Sequence, residues 1–164
     1  MANIYTAAFS TIALTTVAQD LWEIVASSNN RVCIHEVRFG QTSVLLSSLA
    51  QNLGLTFIRN YDTGSSGGTA VTPISLGPST AARASLTDVT RVSTTVASSS
   101  SLTPQTLHAD VWPVYLYSYA YCPEECDKIW LEKSQRLVVR TTAPSAALTV
   151  SGTLVFEEVA QVVA

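Results

Sequence analysis

Charge is scarce in this chain: 13% of its 164 residues are charged, against about 25% in an average soluble domain. Lysine occurs only at Lys128 and Lys133. The arginines (Arg31, Arg38, Arg59, Arg83, Arg91, Arg136, Arg140) are scattered rather than clustered. With a net charge of −3 and a pI of about 5.2, the chain lacks the basic footprint of a nucleic-acid partner. No run of about 18 apolar residues exists, which excludes a membrane helix. Residues 1–6 carry no basic segment, and Thr11, Thr15 and Thr16 interrupt any apolar stretch that follows. That pattern predicts no export signal, and so no membrane partner in the form of a small outer-membrane barrel. It also predicts synthesis in a cytoplasm and reduced thiols. Helical periodicity, internal repeats, a phosphate loop and a Gly-x-Ser-x-Gly elbow are all missing.

Hydroxyls take the place of charge. Serine and threonine make up roughly a quarter of the chain, 47% of residues are hydrophobic, and the mean hydropathy is +0.27. Hydroxyls solvate strand faces and long loops, and they are cheaper to bury against a neighbour than full charges are. Such a composition predicts a protein that assembles, with its neutral loops as contact surfaces.

The periodicity is that of strands. Residues 1–16 read as an N-terminal arm or first strand, 17–159 as a single sandwich domain, and 160–164 as a tail. Leu21–Val25 is a compact strand signal. Along Arg31–Gln41, Val32, Ile34, Glu36 and Arg38 fall on one face and Cys33, His35, Val37 and Phe39 on the other. Leu53, Leu55 and Phe57 line one face of the next strand. Ser43–Gln51 reads either as a single helical turn or as a long connection. Asp62–Gly68 reads as a flexible loop, Val71–Leu76 as an edge-like segment because of Pro73, and Ala84–Val96 as a weak strand. Thr106–Tyr121 is a long aromatic strand with a bend at Pro113. Ile129–Leu131 leads into Arg136–Thr141. The closing strand alternates Leu148, Val150, Gly152, Leu154, Phe156 and Glu158 on one side. About eight strands with polar connections predict an all-β, two-sheet antiparallel sandwich, with a jelly roll ahead of an immunoglobulin-like arrangement.

Chemistry-bearing groups are few. Cys122 and Cys126 open a zinc site, close a small disulfide loop, or sit as reduced thiols at a turn. A zinc site needs further ligands, for which only Cys33, His35 and His108 are at hand. His35 and Glu36 point to opposite faces, so they form no dyad, whereas His108 and Asp110 share a face and can touch. Glu124-Glu125 and Glu157-Glu158 are neighbours in sequence, unlike the separated carboxylates of glycosidases. The reading assigns no catalytic residue, no metal ligand and no cofactor. Tyr115, Tyr117, Tyr119 and Tyr121 form a period-two ladder beside Trp112. Such a ladder fills a half-buried sheet, anchors a subunit or stacks a sugar.

Several short elements together resemble small β-sandwich virion structural proteins of tailed bacteriophages. They are Leu21–Ile24, Arg31–Gln41, Leu55–Arg59 before Gly67-Gly68-Thr69, Leu107–Asp110, Leu137–Arg140 and Ser151–Glu158. The resemblance implies a non-enzymatic capsid decoration (cement) protein located in the virion. Its implied partners are itself, as a homotrimer, and the major capsid protein or another virion protein. Residues 3–16 and 160–164 are then candidates for contact with neighbours, and Trp112, Tyr115, Tyr117, Tyr119 and Tyr121 are the candidate interface residues. The alternative is a tail-associated receptor- or carbohydrate-binding module. An enzyme on a jelly roll is a third reading that lacks a site.

Overall fold

The computed structural model describes residues 3–43, 51–77 and 88–160. The expected connection at 44–50, the start of the weak strand at 84–87 and the tail at 161–164 lie outside these. Twelve strands are described: β1 (Asn3–Leu14), β2 (Gln19–Val25), β3 (Asn30–Gln41), β4 (Asn52–Arg59), β5 (Thr69–Ala70), β6 (Ile74–Ser75), β7 (Asp88–Ser93), β8 (Gln105–Pro113), β9 (Tyr119–Tyr121), β10 (Ile129–Leu131), β11 (Arg136–Thr141) and β12 (Leu148–Ala160). They form two antiparallel sheets. The first runs β10-β3-β12-β1-β6, with β9 also paired to β3, and the second runs β5-β7-β2-β11-β4-β8.

This order is a jelly roll. β9 and β10 pair with successive parts of β3, at Val37–Phe39 and Val32–Ile34, and so act as one interrupted strand. Treating them as one leaves β1-β12-β3-β9/β10 facing β2-β11-β4-β8. The chain crosses between sheets at every connection except β4 to β8, which is the double Greek-key pattern. The short β5, β6 and β7 extend the outer edges. Residues 3–14, read as arm or first strand, pair with β12 along nearly their whole length.

The core follows the alternating pattern. Trp22, Trp112, Phe39, Phe57 and Phe156 are its largest fully buried side chains. Leu53, Leu55 and Phe57 of β4 face it together, as do Leu148, Val150, Leu154 and Phe156 of β12. Each such residue stabilises the fold by about 1.5–3 kcal/mol relative to exposure. Gly152 continues the inward row, where Phe9 and Phe39 leave no room for a side chain. A Cβ there would sit 2.9 Å from Phe39 Cδ1 and from two ring carbons of Phe9.

One expectation fails on β3. Val37 and Phe39 are buried in the same core as Val32 and Ile34, not on the opposite face. The register with β12 passes from Glu36–Val155 to Ile34–Phe156, so His35 is an extra residue. This β-bulge turns His35 and Glu36 to the outer face together and resets the alternation beyond them. Their carboxylate and imidazole partners differ accordingly. His35 Nε2 lies 2.8 Å from Glu157 Oε2, and Glu36 pairs with Arg38.

Gly152→Ala is expected to cost about 1–3 kcal/mol through overpacking. Urea denaturation followed by tryptophan fluorescence measures it, and an unchanged midpoint would show that Phe9 and Phe39 yield freely.

Candidate assembly surface

The long strand expected over Thr106–Tyr121 divides in two. Pro113 has no N–H to continue the ladder, and β8 ends there. A tight turn follows, closed by Leu116 N–H donating to Pro113 O at 3.1 Å. The chain then enters the opposite sheet as β9. The four tyrosines therefore share no face. Tyr119 is buried in the core and Tyr121 packs partly against it, while Tyr115 and Tyr117 stand out from the turn. Trp112, the fifth candidate, has no exposed surface. Its indole Nε1 donates to Tyr117 O at 2.7 Å, so Trp112 holds the turn in place from inside.

The turn and β8 present several large apolar side chains outward. Tyr115, Leu116 and Tyr117 are 54%, 61% and 59% exposed, and Val111 is 56% exposed. Leu107 and Leu102 add to the same stretch of chain. Among the described residues, β8 is the last strand of its sheet and pairs only with β4. Asp110 is the single formal charge along it.

The expected His108–Asp110 pair does not form. Asp110 Oδ1 accepts from Val111 N–H at 2.7 Å. His108 Nε2 instead lies 3.3 Å from the Tyr119 hydroxyl, with its ring edge-on to Phe57. Burial, aided by the Asp110 charge, pushes the Tyr119 phenol well above its ordinary value, so it stays protonated and neutral. Leu107, His108, Tyr121, Pro123, Asp127 and Ile129 line an open cleft of about 390 Å³ beside the edge.

The serine-rich loops are differently placed from expectation. Asp62 accepts from Ser101 N–H and Oγ at 2.7 and 2.6 Å and from Ser100 N–H at 3.0 Å. These bonds, led by the Ser101 hydroxyl, hold its carboxyl well below the usual range. Beneath, on the outer face of the second sheet, Asp20 is fully buried. It takes two bonds from Arg140, at 2.6 and 3.2 Å, and one from Ala97 N–H at 2.6 Å. Glu23 accepts from Ser65 N–H at 2.6 Å and from Arg136 Nε at 3.1 Å. The loops at 62–66 and 95–101 are thus tied down over their own sheet and joined by bridges at Thr63–Ser98 and Ser66–Thr95. Asp20, Glu23 and Asp62 are each engaged by the chain's own loops.

Cysteine placement is plain. Cys33 is buried, and Cys122 and Cys126 are exposed without a disulfide. Among the described residues no group of three or more His, Cys, Asp or Glu is arranged to hold a metal ion. Desolvation pushes the Cys33 thiol up to about 11.

Comparison with known proteins adds little. No family model matches the chain, and no curated protein matches it. Solved structures of infectious bursal disease virus align with it at low score. The Gx strain structure has 15% identity, a TM-score of 0.14, and coverage of 98% of this chain and 43% of that one. A mutant VP2 protein in derived T=1 particles has 14% identity, a TM-score of 0.19, and coverage of 98% and 41%. The chain spans less than half the length of either, and scores this low carry no argument.

Three outcomes follow from these contacts. Asp20→Ala leaves Arg140 without its buried partner and is expected to cost about 3–5 kcal/mol in urea denaturation; a cost below 1 kcal/mol would mean the loop closes without it. A lowered carboxylate stabilises the fold above its unfolded value of about 4, and that contribution is lost as pH falls through the folded value. The protection of the Ser100 and Ser101 amides against exchange, relative to their intrinsic rates, should therefore fall progressively below about pH 4, and Asp62→Asn should remove that pH dependence. Finally, a disulfide-exchange reagent at pH 8 should label Cys122 and Cys126 rapidly and Cys33 only on unfolding.

Proposed function

We propose that the protein is a non-enzymatic structural component of a phage particle. In this reading it is a decoration protein that binds the outside of the head as homotrimers and bridges major capsid subunits. The observation that supports it is the set of exposed apolar side chains on β8 and its turn, Val111, Tyr115, Leu116 and Tyr117, on a chain with little charge to oppose contact. Contiguous exposed apolar surface marks protein contact sites. The mechanism is mechanical: burying on the order of 1,600 Å² across neighbouring subunits raises the free energy needed to separate them. No acid–base step belongs to this reading, since Asp110 is engaged by a backbone N–H and His108 by a protonated phenol.

A second reading, a carbohydrate- or receptor-binding module on a tail, draws on Tyr115 and Tyr117, whose exposed rings suit stacking on a sugar face.

Co-sedimentation with purified heads tests the first. The wild type should pellet with heads and raise their heat resistance. Leu116→Asp with Tyr117→Asp should reduce binding at least tenfold while the far-ultraviolet circular dichroism stays unchanged. Absence of binding to heads, with glycan-array binding abolished by Tyr117→Ala, would replace this reading with the second.

A further inference from the structure

Among the described residues, β8 carries an unpaired backbone edge whose orientation can be worked out from its partner strand. Gly54 of β4 directs its C=O to Thr142 N–H at 2.9 Å and its N–H to Thr142 Oγ1 at 2.9 Å. Both groups thus point away from β8. Gly54 stands opposite Val111, so Val111 belongs to a non-hydrogen-bonded pair and turns its own N–H and C=O outward. Ala109, two residues back and before the irregularity at Phe57–Ile58, does the same. The outward Val111 N–H is bonded to the Asp110 carboxylate, which is consistent with this direction.

An exposed edge of this kind is a template for another strand unless charge, proline or a cover blocks it. β8 has proline only at its end, at Pro113, and no lysine. We infer that this edge pairs with the same edge of a second copy, antiparallel, about a two-fold axis at Ala109. The inference rests on the assembly reading above but not on the shell as partner.

Charge selects the register. With the axis at Ala109, His108 of each copy stands opposite Asp110 of the other, and Leu107 stands opposite Val111. All four residues reach solvent in the isolated chain, His108 in part. Moving the axis by one residue to Asp110 sets two carboxylates directly against each other, which is destabilising in a cross-strand pair. In the favoured register the backbone groups of Ala109 bond across the axis. The Val111 N–H exchanges the Asp110 carboxylate for a partner carbonyl, and that carboxylate is released toward the partner's His108. The same axis carries the end bearing exposed Leu102 toward the end bearing Leu116. One edge accepts one partner, so the contact joins copies in twos; between trimers it would link neighbours.

A cysteine at the axis reads this register directly. Residues in a hydrogen-bonded antiparallel pair have Cα atoms about 5.5 Å apart, within the span of a disulfide. In a Cys122→Ser, Cys126→Ser background, Ala109→Cys should give a covalent dimer under mild oxidation. Thr106→Cys, whose counterpart is the buried residue 112, should not. Val111→Lys should weaken dimerisation at least tenfold in sedimentation velocity, with circular dichroism unchanged. An Ala109→Cys chain that stays uncrosslinked, or a wild type monomeric at its solubility limit, overturns the inference. Head binding without an Ala109→Cys dimer sinks this contact and leaves the function standing; a dimer without head binding does the reverse.

Discussion

Two carboxylates on one strand govern how the outside of this molecule is built. Asp20 and Glu23 lie on the outer face of β2, in the interior of the second sheet, and both are buried. A buried carboxylate without partners costs several kcal/mol. Here each receives an arginine from β11, Arg140 or Arg136, and a backbone N–H from a loop, Ala97 or Ser65. That demand draws the two serine-rich loops across the sheet, where Tyr61 also meets Arg140 through its hydroxyl at 2.9 Å. Val138 and Ile58, cross-strand partners outside the main core, are buried as well. The sheet face that an open sandwich leaves to water becomes an internal layer.

The consequence reaches the opposite end of the sheet. With the outer face of β2 and β11 occupied, the large apolar side chains still facing solvent include those on β8 and its turn, Ile4, Ile74 and Leu76 near β6, and Val17 and Trp130. Hydroxyl-rich composition therefore has a different meaning from the one it suggests. It supplies neutral loops that can be hydrogen-bonded inward without stranding charge.

Much of the fold was legible from residue order because strand alternation is local. β2, β4 and β12 show their buried face directly in Trp22 and Ile24, in Leu53 to Phe57, and in Leu148 to Phe156. The jelly roll followed from strand number and chain length. Where reading failed, the cause was non-local. The bulge at His35 depends on how β12 pairs with β3, and nothing near His35 announces it. The tyrosine ladder was a coincidence of spacing across a turn: Pro113 signalled a bend, but the change of sheet after it required the opposite sheet to be in place. The anchoring of the loops joins residues such as Asp20 and Ala97 that are 77 positions apart. Of the candidate site, Tyr115 and Tyr117 were legible, while Leu116, Val111 and Leu107 were hidden among ordinary strand hydrophobics until β8 proved to be an edge.

The position of β12 bears on how the molecule comes into being. It is the last of the described strands in chain order, yet it lies between β3 and β1 and bonds to both along most of its length. Contacts there span as many as 155 residues of chain, as between Asn3 and Glu158. Until β12 is made, β1 and β3 have a gap between them that no other strand fills. Domains dominated by such distant pairings fold in milliseconds to seconds. β12 must therefore leave the ribosome before the first sheet can close, and through that interval the facing edges of β1 and β3 stay unpaired.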